Sequence, residues 1–398
     1  MNGVSPNRHY LDNAATTYPK PPGVVAAVCD YMEHNGASAG RGAYRAALES
    51  RQIIDDCRAA IARLFAAGPD CHVCFTLNGT DGLNMAIKGL VRPGDHVVTT
   101  AMDHNSVLRP LWALQERGGV THTVVPADPD TTRVTVDAIA AALRPNTRLV
   151  ALNHASNVTG VLQPYEAVAE LCRARYSPLL RDAAQSAGHL PIDLGRVPVD
   201  VLACPGHKGL LGPLGTGVLI VRDRVAERIE TLREGGTGSE SESPVQPWQM
   251  PDRFEPGSHN APGIAGLRVA VEWLLARGLP AVRAHELELC ARLADGLDAA
   301  GVRWFGPRAP AERVGVFSVR IDGFDPGELA TLLELHHGVL SRAGLHCAPL
   351  AHRTIGTDTD GGTTRLSCSA LTTEGDVDAA VAALAELRAA AGAAARVG

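Results

Sequence analysis

Lysine is nearly absent from this chain. Of 37 basic residues only Lys20, Lys88 and Lys208 are lysines, and the rest are arginines. Where positive charge alone is wanted the chain uses a guanidinium. A retained lysine therefore points to a task that a permanently protonated group cannot perform, such as acting as an amine nucleophile. Aromatic residues are also scarce, at 4%. There is no basic run, and a net charge of −6 argues against a general nucleic-acid or membrane-surface binder. No apolar run approaches the ~20 residues of a membrane-spanning helix. The opening stretch "MNGVSPNRHYLDNAATTYP" carries no apolar core of the secretory type, so a cytoplasmic location is expected. The nine cysteines are odd in number and irregularly spaced, and they read as reduced thiols rather than a disulfide framework. "CHVC" at 71–74 has no second such pair to complete a zinc site, and it lies in a strand-like apolar run, so it reads as core.

What is present is an ordinary globular composition, 45% apolar and 20% charged, over 398 residues, enough for two or three domains. From residue 70 to about 222, strand-like and helix-like runs alternate. "HVCFTL", "HVVTTAM", "VTHTVVP", "RLVALNHA", "PLLRDAA", "DVLACPG" and "GTGVLIV" read as strands, with helical runs between the earlier ones. This pattern predicts an α/β domain with a mostly parallel sheet, in which ligands bind beyond the carboxyl ends of the strands. Residues 234–263 are rich in Gly, Ser and Pro and read as a long functional loop. From Ile264 a helical run leads into a smaller α+β unit, with helices at 282–300 and 326–335, strands at 314–321 and 363–371, and a closing helix capped by Thr373 and Asp376. The expected division is a large domain at 17–263 and a small one at 264–398, joined by the segment 1–16.

The chemically loaded residues His104, Asn157, Asp182 and Lys208 all fall at or just after predicted strands. Lys208 lies in the glycine-rich "CPGHKGLLGPLGTG" (204–217), where a backbone can approach a ligand closely. Asp182 ends the strand "PLLRD" and is a candidate carboxylate for a protonated pyridine nitrogen. "NGTDG" (78–82) opens a helix after a strand, an arrangement suited to phosphate. His104 in "MDHNSV" offers a flat partner for an aromatic ring. Together these suggest pyridoxal phosphate, which needs an amine, a carboxylate and a phosphate cradle. Lys88 reads as a helix C-terminal cation and Lys20 as a surface turn.

The segments "YLDNAATTYPKP", "GTDGLNMAIKGL", "DHNSVLRPL", "HASNVTG", "DAAQSAG", "PGHKGLLGPLGTG", "RFEPGSHNAPGIAGL" and "RAGLHCAPLAH", in this order, resemble the class V, fold-type I pyridoxal-phosphate enzymes of the cysteine desulfurase and selenocysteine lyase family. The resemblance implies a fold-type I aminotransferase-like large domain and pyridoxal 5'-phosphate as cofactor. It implies that Lys208 bonds the cofactor aldehyde, that Asp182 pairs with the ring nitrogen and that His104 stacks on the ring. Asn157 and Gln185 lie by the phenolic oxygen, and Gly79, Thr80 and His207 hold the phosphate. Ser258 implies a homodimer, because in relatives the residue there reaches the neighbouring subunit's phosphate. Substrate contacts are expected from Asn13, Ala14, Asn157, Arg342 and Arg365, the last as a fork on the substrate carboxylate.

Cys347 falls where the family carries its nucleophile, and His346, Arg342 and Arg353 are candidate electropositive neighbours. The implied activity takes sulfur from L-cysteine onto Cys347 as a persulfide and leaves L-alanine. The compact loop implies a separate sulfur-acceptor protein. An alternative is a lyase cutting C–S or C–Se bonds, or an aminotransferase-like enzyme on another amino acid. Four positions depart from the common pattern: Pro205 replaces a serine that bonds the phosphate, "GSHN" places Ser258 and His259 where "GTPN" is usual, and Gly40 stands where some relatives have histidine.

Overall fold

The computed structural model describes residues 8–397 except Arg41 and Pro198. Its centre is a seven-stranded sheet. Strands in chain order are β1 (His9–Tyr10), β2 (Cys71–Thr76), β3 (His96–Thr100), β4 (Thr121–Val125), β5 (Thr147–Asn153), β6 (Leu179–Asp182), β7 (Val201–Pro205) and β8 (Gly217–Arg222). The large sheet runs in the order β2-β8-β7-β6-β5-β3-β4. Pairings from β7 to β4 are parallel, and β8 joins antiparallel to both β2 and β7. A mostly parallel sheet was the expectation, and these runs satisfy it because both of their faces are buried.

Side-chain alternation divides the core. Val73, Phe75, Val98, Val150, Leu202 and Ile220 face one apolar cluster, while their neighbours Cys74, Val97, Leu149, Ala151, Val201 and Leu219 face another. Helices Arg45–Leu64 and Ala261–Arg277 cover the first face, and helix Gly79–Leu90 covers the second. Each fully buried Val or Leu contributes about 1.5–3 kcal/mol. Helix Ala261–Arg277, expected as the entry to the small unit, packs into the large core through Ile264, Leu267, Val271 and Leu274. It also begins three residues earlier than read, because Asn260 caps it, accepting from Gly263 N at 3.2 Å.

The second sheet has four strands, in the order β12-β13-β10-β9. These are β9 (Arg303–Phe305), β10 (Val316–Arg320), β12 (Arg342–Gly344) and β13 (Thr363–Ser367), all antiparallel. Strand β11 (Val339–Leu340) instead pairs with β1, and Leu11 enters the apolar cluster of this sheet. The Thr373 cap forms as expected: its backbone N–H donates to Asp376 at 2.9 Å, and Asp376 N donates back at 3.2 Å. Residues 24–64, left without elements in the sequence reading, fold as two helices, Val24–Asp30 and Arg45–Leu64, joined by further helical turns at 31–35. Among the described residues no helix is long and apolar enough to cross a membrane.

Candidate active site

A cavity of about 240 Å³ opens at the carboxyl ends of β5, β6 and β7 and the start of helix Gly79–Leu90. Gly79, Thr80, His104, Asn157, Asp182, Gln185, His207 and Lys208 all line it. Eight residues spread over 130 positions of sequence meet because parallel strands deliver their ends to one edge.

Lys208 follows β7 on a loop whose next residue, Gly209, tolerates no side chain. A Cβ on Gly209 would strike the Ala187 carbonyl, and one on Gly188 would strike Gly209 itself. The carbonyl of His207, in the peptide bond that leads into Lys208, accepts from Thr17 N at 3.0 Å, from Thr16 Oγ1 at 3.2 Å and from Thr17 Oγ1 at 3.1 Å. Burial first, and then the Arg365 charge, lower the Lys208 amine to about 8. At pH 7 about a tenth of such amines are unprotonated, against roughly one in several thousand for an ordinary lysine. Lys20 is not a free surface turn: its amine donates to Thr17 Oγ1 at 2.8 Å and to the His207 carbonyl at 3.3 Å.

Asp182 is buried, and burial raises its carboxyl above the ordinary range. It accepts from Ala184 N at 2.9 Å, and no cation is hydrogen-bonded to it among the described residues. A buried carboxylate facing a cavity without a paired cation suits a protonated ring nitrogen.

His104 caps helix Asn105–Glu116. Its Nδ1 accepts from Ser106 N at 3.0 Å, which leaves the proton on Nε2. Burial, then the Lys208 charge, lower its pKa to about 3, so the ring is neutral. Ser106 Oγ also bonds Thr80 Oγ1 at 2.7 Å, tying the two helix starts together. Sequence reasoning missed Ser106, although a Ser two residues after a capping His was visible. Gly79 packs closely on Pro205: a Cβ there would lie 3.0 Å from Pro205 Cδ and 3.2 Å from its N, so the proline would have to give way. Pro205 thus forms part of the wall at the position where many relatives have a serine, the departure noted in the sequence. Among the described residues the buried His207 Nδ1 has no hydrogen-bond partner.

Arg365 is buried between two fixed acceptors. It donates to Asp12 Oδ1 at 2.9 Å and to the Asn157 carbonyl at 3.1 Å, and among the described residues its buried Nε–H is unpartnered. Asp12 was not among the expected site residues. Arg342 stands directly across from Arg365 in the β12–β13 register. Asn13 does not offer its amide to a substrate: Nδ2 donates to Ser367 O at 2.8 Å and Tyr10 O at 3.2 Å, and Oδ1 accepts from Tyr18 N at 3.3 Å. Ala14 is occupied likewise, its N–H bonded to Ser367 Oγ and its carbonyl to Gln185 Nε2.

Cys347 is exposed, one of two such cysteines among nine; Cys29 is the other. Burial pushes the Cys172 and Cys290 thiols up to about 12. His346 and Cys347 both hold left-handed backbone, with φ of 48° and 58°. For non-glycine residues this costs on the order of 1 kcal/mol each. The loop is held in that shape through its carbonyls: Asn157 Nδ2 donates to His346 O at 2.6 Å, and Asn105 N donates to Cys347 O at 2.8 Å. A Cys347 thiolate lies near enough to Lys208 and Arg365 to favour their charged forms. His346 is not an electropositive neighbour. It is buried, its pKa falls well below the ordinary value, and its Nε2 contacts Thr363 O at 3.1 Å. Arg353 is exposed and pairs with Asp358 at 3.4 Å. Ser258 is exposed and lines a separate small depression with Thr76, Leu77 and His259, not the Lys208 cavity.

The fold and the amine–carboxylate cavity define a class of protein, and the family comparison agrees. The aminotransferase class-V model matches residues 9–380, so the chain belongs to that family, whose members are pyridoxal-phosphate dependent. Within the family the similarity is to cysteine desulfurases. A probable cysteine desulfurase of Methanothermobacter thermautotrophicus is 34% identical over 90% of this chain and 89% of its own. Another from Aeropyrum pernix is 36% identical over 86% of each chain. The apo structure of a cysteine desulfurase from Thermococcus onnurineus superposes with a TM-score of 0.89 at 29% identity, covering 96% of this chain and 94% of that one.

Proposed function

We propose that this chain is a cysteine desulfurase that binds pyridoxal 5'-phosphate and carries sulfur from L-cysteine on Cys347. The observation that carries the reading is the placement of Cys347: an exposed thiol on a strained loop, anchored to the helix start that His104 caps and within electrostatic reach of Lys208 and Arg365. The cavity fits the cofactor. Lys208 would bond its aldehyde, Asp182 its ring nitrogen, and Gly79, Thr80 and His207 its phosphate, with the unpartnered His207 Nδ1 as one contact. Pyridoxal phosphate, when bound, withdraws electrons from the α-carbon of an attached amino acid.

The chain's own residues supply the rest. Arg365, fixed by Asp12, would hold the substrate carboxylate through the N–H groups that Asp12 and Asn157 do not use. Lys208, once released as a free amine of pKa about 8, moves the α-proton. His104 offers Nε2–H to the reacting centre. The Cys347 thiolate attacks the substrate sulfur. An S–S bond forms, the substrate C–S bond breaks, and the electron pair stays on carbon, which takes up a proton. The net change is L-cysteine plus the Cys347 thiol giving L-alanine plus the Cys347 persulfide.

The same reading includes a homodimer, since Ser258 lines a depression other than the Lys208 cavity of its own chain, together with a cytoplasmic location and a sulfur-acceptor protein. The test is to supply L-cysteine and a reductant to the wild type and to Cys347→Ala. Alanine should form only in the wild type. Pyruvate and ammonia without alanine would show a β-eliminating lyase instead.

A further inference from the structure

A second depression begins at Cys347 and leads away from the cavity. This open groove of about 440 Å³ shares Thr80, His104 and Ser106 with the cavity and then runs between helices Gly79–Leu90 and Asn105–Glu116. Asn84 and Lys88 continue the Thr80 stripe at four-residue spacing on one wall, and Arg109 stands on the other. Among the described residues no Asp or Glu lines it. Among the described residues neither Lys88 nor Arg109 has an ion pair or a side-chain hydrogen bond; of the other exposed arginines some are paired, as Arg45 with Glu49, Arg292 with Asp378 and Arg308 with Asp298, and some, such as Arg63 and Arg117, are not. A chain with net charge −6 thus leaves two uncompensated cations beside its one outward-facing loop thiol.

We propose that this groove is the docking surface for the sulfur acceptor, and that the acceptor is a protein presenting its thiol within an acidic segment. The proposal rests on the desulfurase reading above. The carboxylates of the segment would face Lys88 and Arg109, while its thiolate attacks the outer sulfur of the Cys347 persulfide. The S–S bond to Cys347 breaks with its electron pair on the Cys347 thiolate, and a new S–S bond forms on the acceptor. No oxidant is consumed. Exposed charge pairs of this kind act mainly on the encounter rate and weaken as salt rises.

The test uses holoenzyme charged with L-cysteine and three synthetic peptides of one cysteine each, flanked by glutamates, glutamines or lysines. Single-turnover transfer should be about tenfold faster to the glutamate peptide than to the lysine peptide at low salt, and the gap should narrow at high salt. The double variant Lys88→Glu/Arg109→Glu should invert that order. Lys88→Gln, the milder change, should halve the gap or more while leaving alanine formation with dithiothreitol unchanged. Equal rates to all three peptides, or a preference untouched by these variants, would overturn the groove assignment while leaving the desulfurase reading intact. Absence of any persulfide on Cys347 would instead overturn the desulfurase reading, and the groove proposal with it.

Discussion

The two candidate nucleophiles of this molecule, Lys208 and Cys347, line neighbouring depressions and are held in opposite ways. Lys208 sits at the end of a central strand, its preceding carbonyl gripped by Thr16, Thr17 and Lys20 and its flanking glycine wedged against residue 187. Cys347 sits on an exposed loop of two consecutive left-handed residues, held by hydrogen bonds to two carbonyls. Burial lowers the amine to about 8 and makes it available near neutral pH. The thiol stays in contact with water. The difference follows from the tasks assigned to each. An amine that captures and releases one cofactor gains from being fixed and dry. A thiol that must meet the substrate on one side and an acceptor on the other has to remain at the surface.

The comparison can be broken by removing each partner in turn. Lys208→Arg keeps charge and fold but removes the amine. Turnover should drop by at least about 10³-fold, with loss of the visible absorbance of bound cofactor and unchanged circular dichroism. Cys347→Ser should lower alanine formation by about 10²-fold or more yet retain that absorbance, which separates cofactor capture from sulfur capture. A variant that loses both signals would contradict the division of labour.

Smaller effects sharpen it. Arg365→Lys gives up the planar fork, and the KM for L-cysteine should rise about tenfold, with kcat less affected. The Lys208 amine reacts only when unprotonated, so the rate at which apo protein captures pyridoxal phosphate should climb with pH up to about 8 and then level. His104, lowered to about 3, should add no inflection between pH 5 and 7. The smallest effect lies far from both nucleophiles: Thr373→Ala removes a helix cap and should cost about 1 kcal/mol, read as a lower thermal midpoint with activity retained.

Much of this arrangement was legible in the sequence, for identifiable reasons. Buried parallel strands announce themselves as short apolar runs, and the strands from β2 to β8 fall where those runs lie. Lys208, Asp182, His104 and Gly79 fall at strand or helix ends, which the alternation located. What stayed hidden depends on long-range contact. The pairing of β1 with β11 joins positions more than 300 residues apart, and nothing local in "HY" announces it. Asp12 carries no sign that it will fix Arg365, and Asn13, polar and close to the site, turned out to be committed to backbone. His346 reads as a cation beside Cys347 until its burial is known. Lys20 looked like surface because a turn sequence does not reveal what packs over it.

The central claim is that Cys347, and no other cysteine, receives the substrate's sulfur. It is tested most directly by brief incubation of the holoenzyme with L-cysteine, trapping of sulfane sulfur by alkylation, and peptide mapping by mass spectrometry alongside alanine quantification. The account predicts one added sulfur on the peptide containing Cys347, in amounts matching alanine in the first turnover. Alanine formed with the added sulfur on Cys29 or on no cysteine would contradict it.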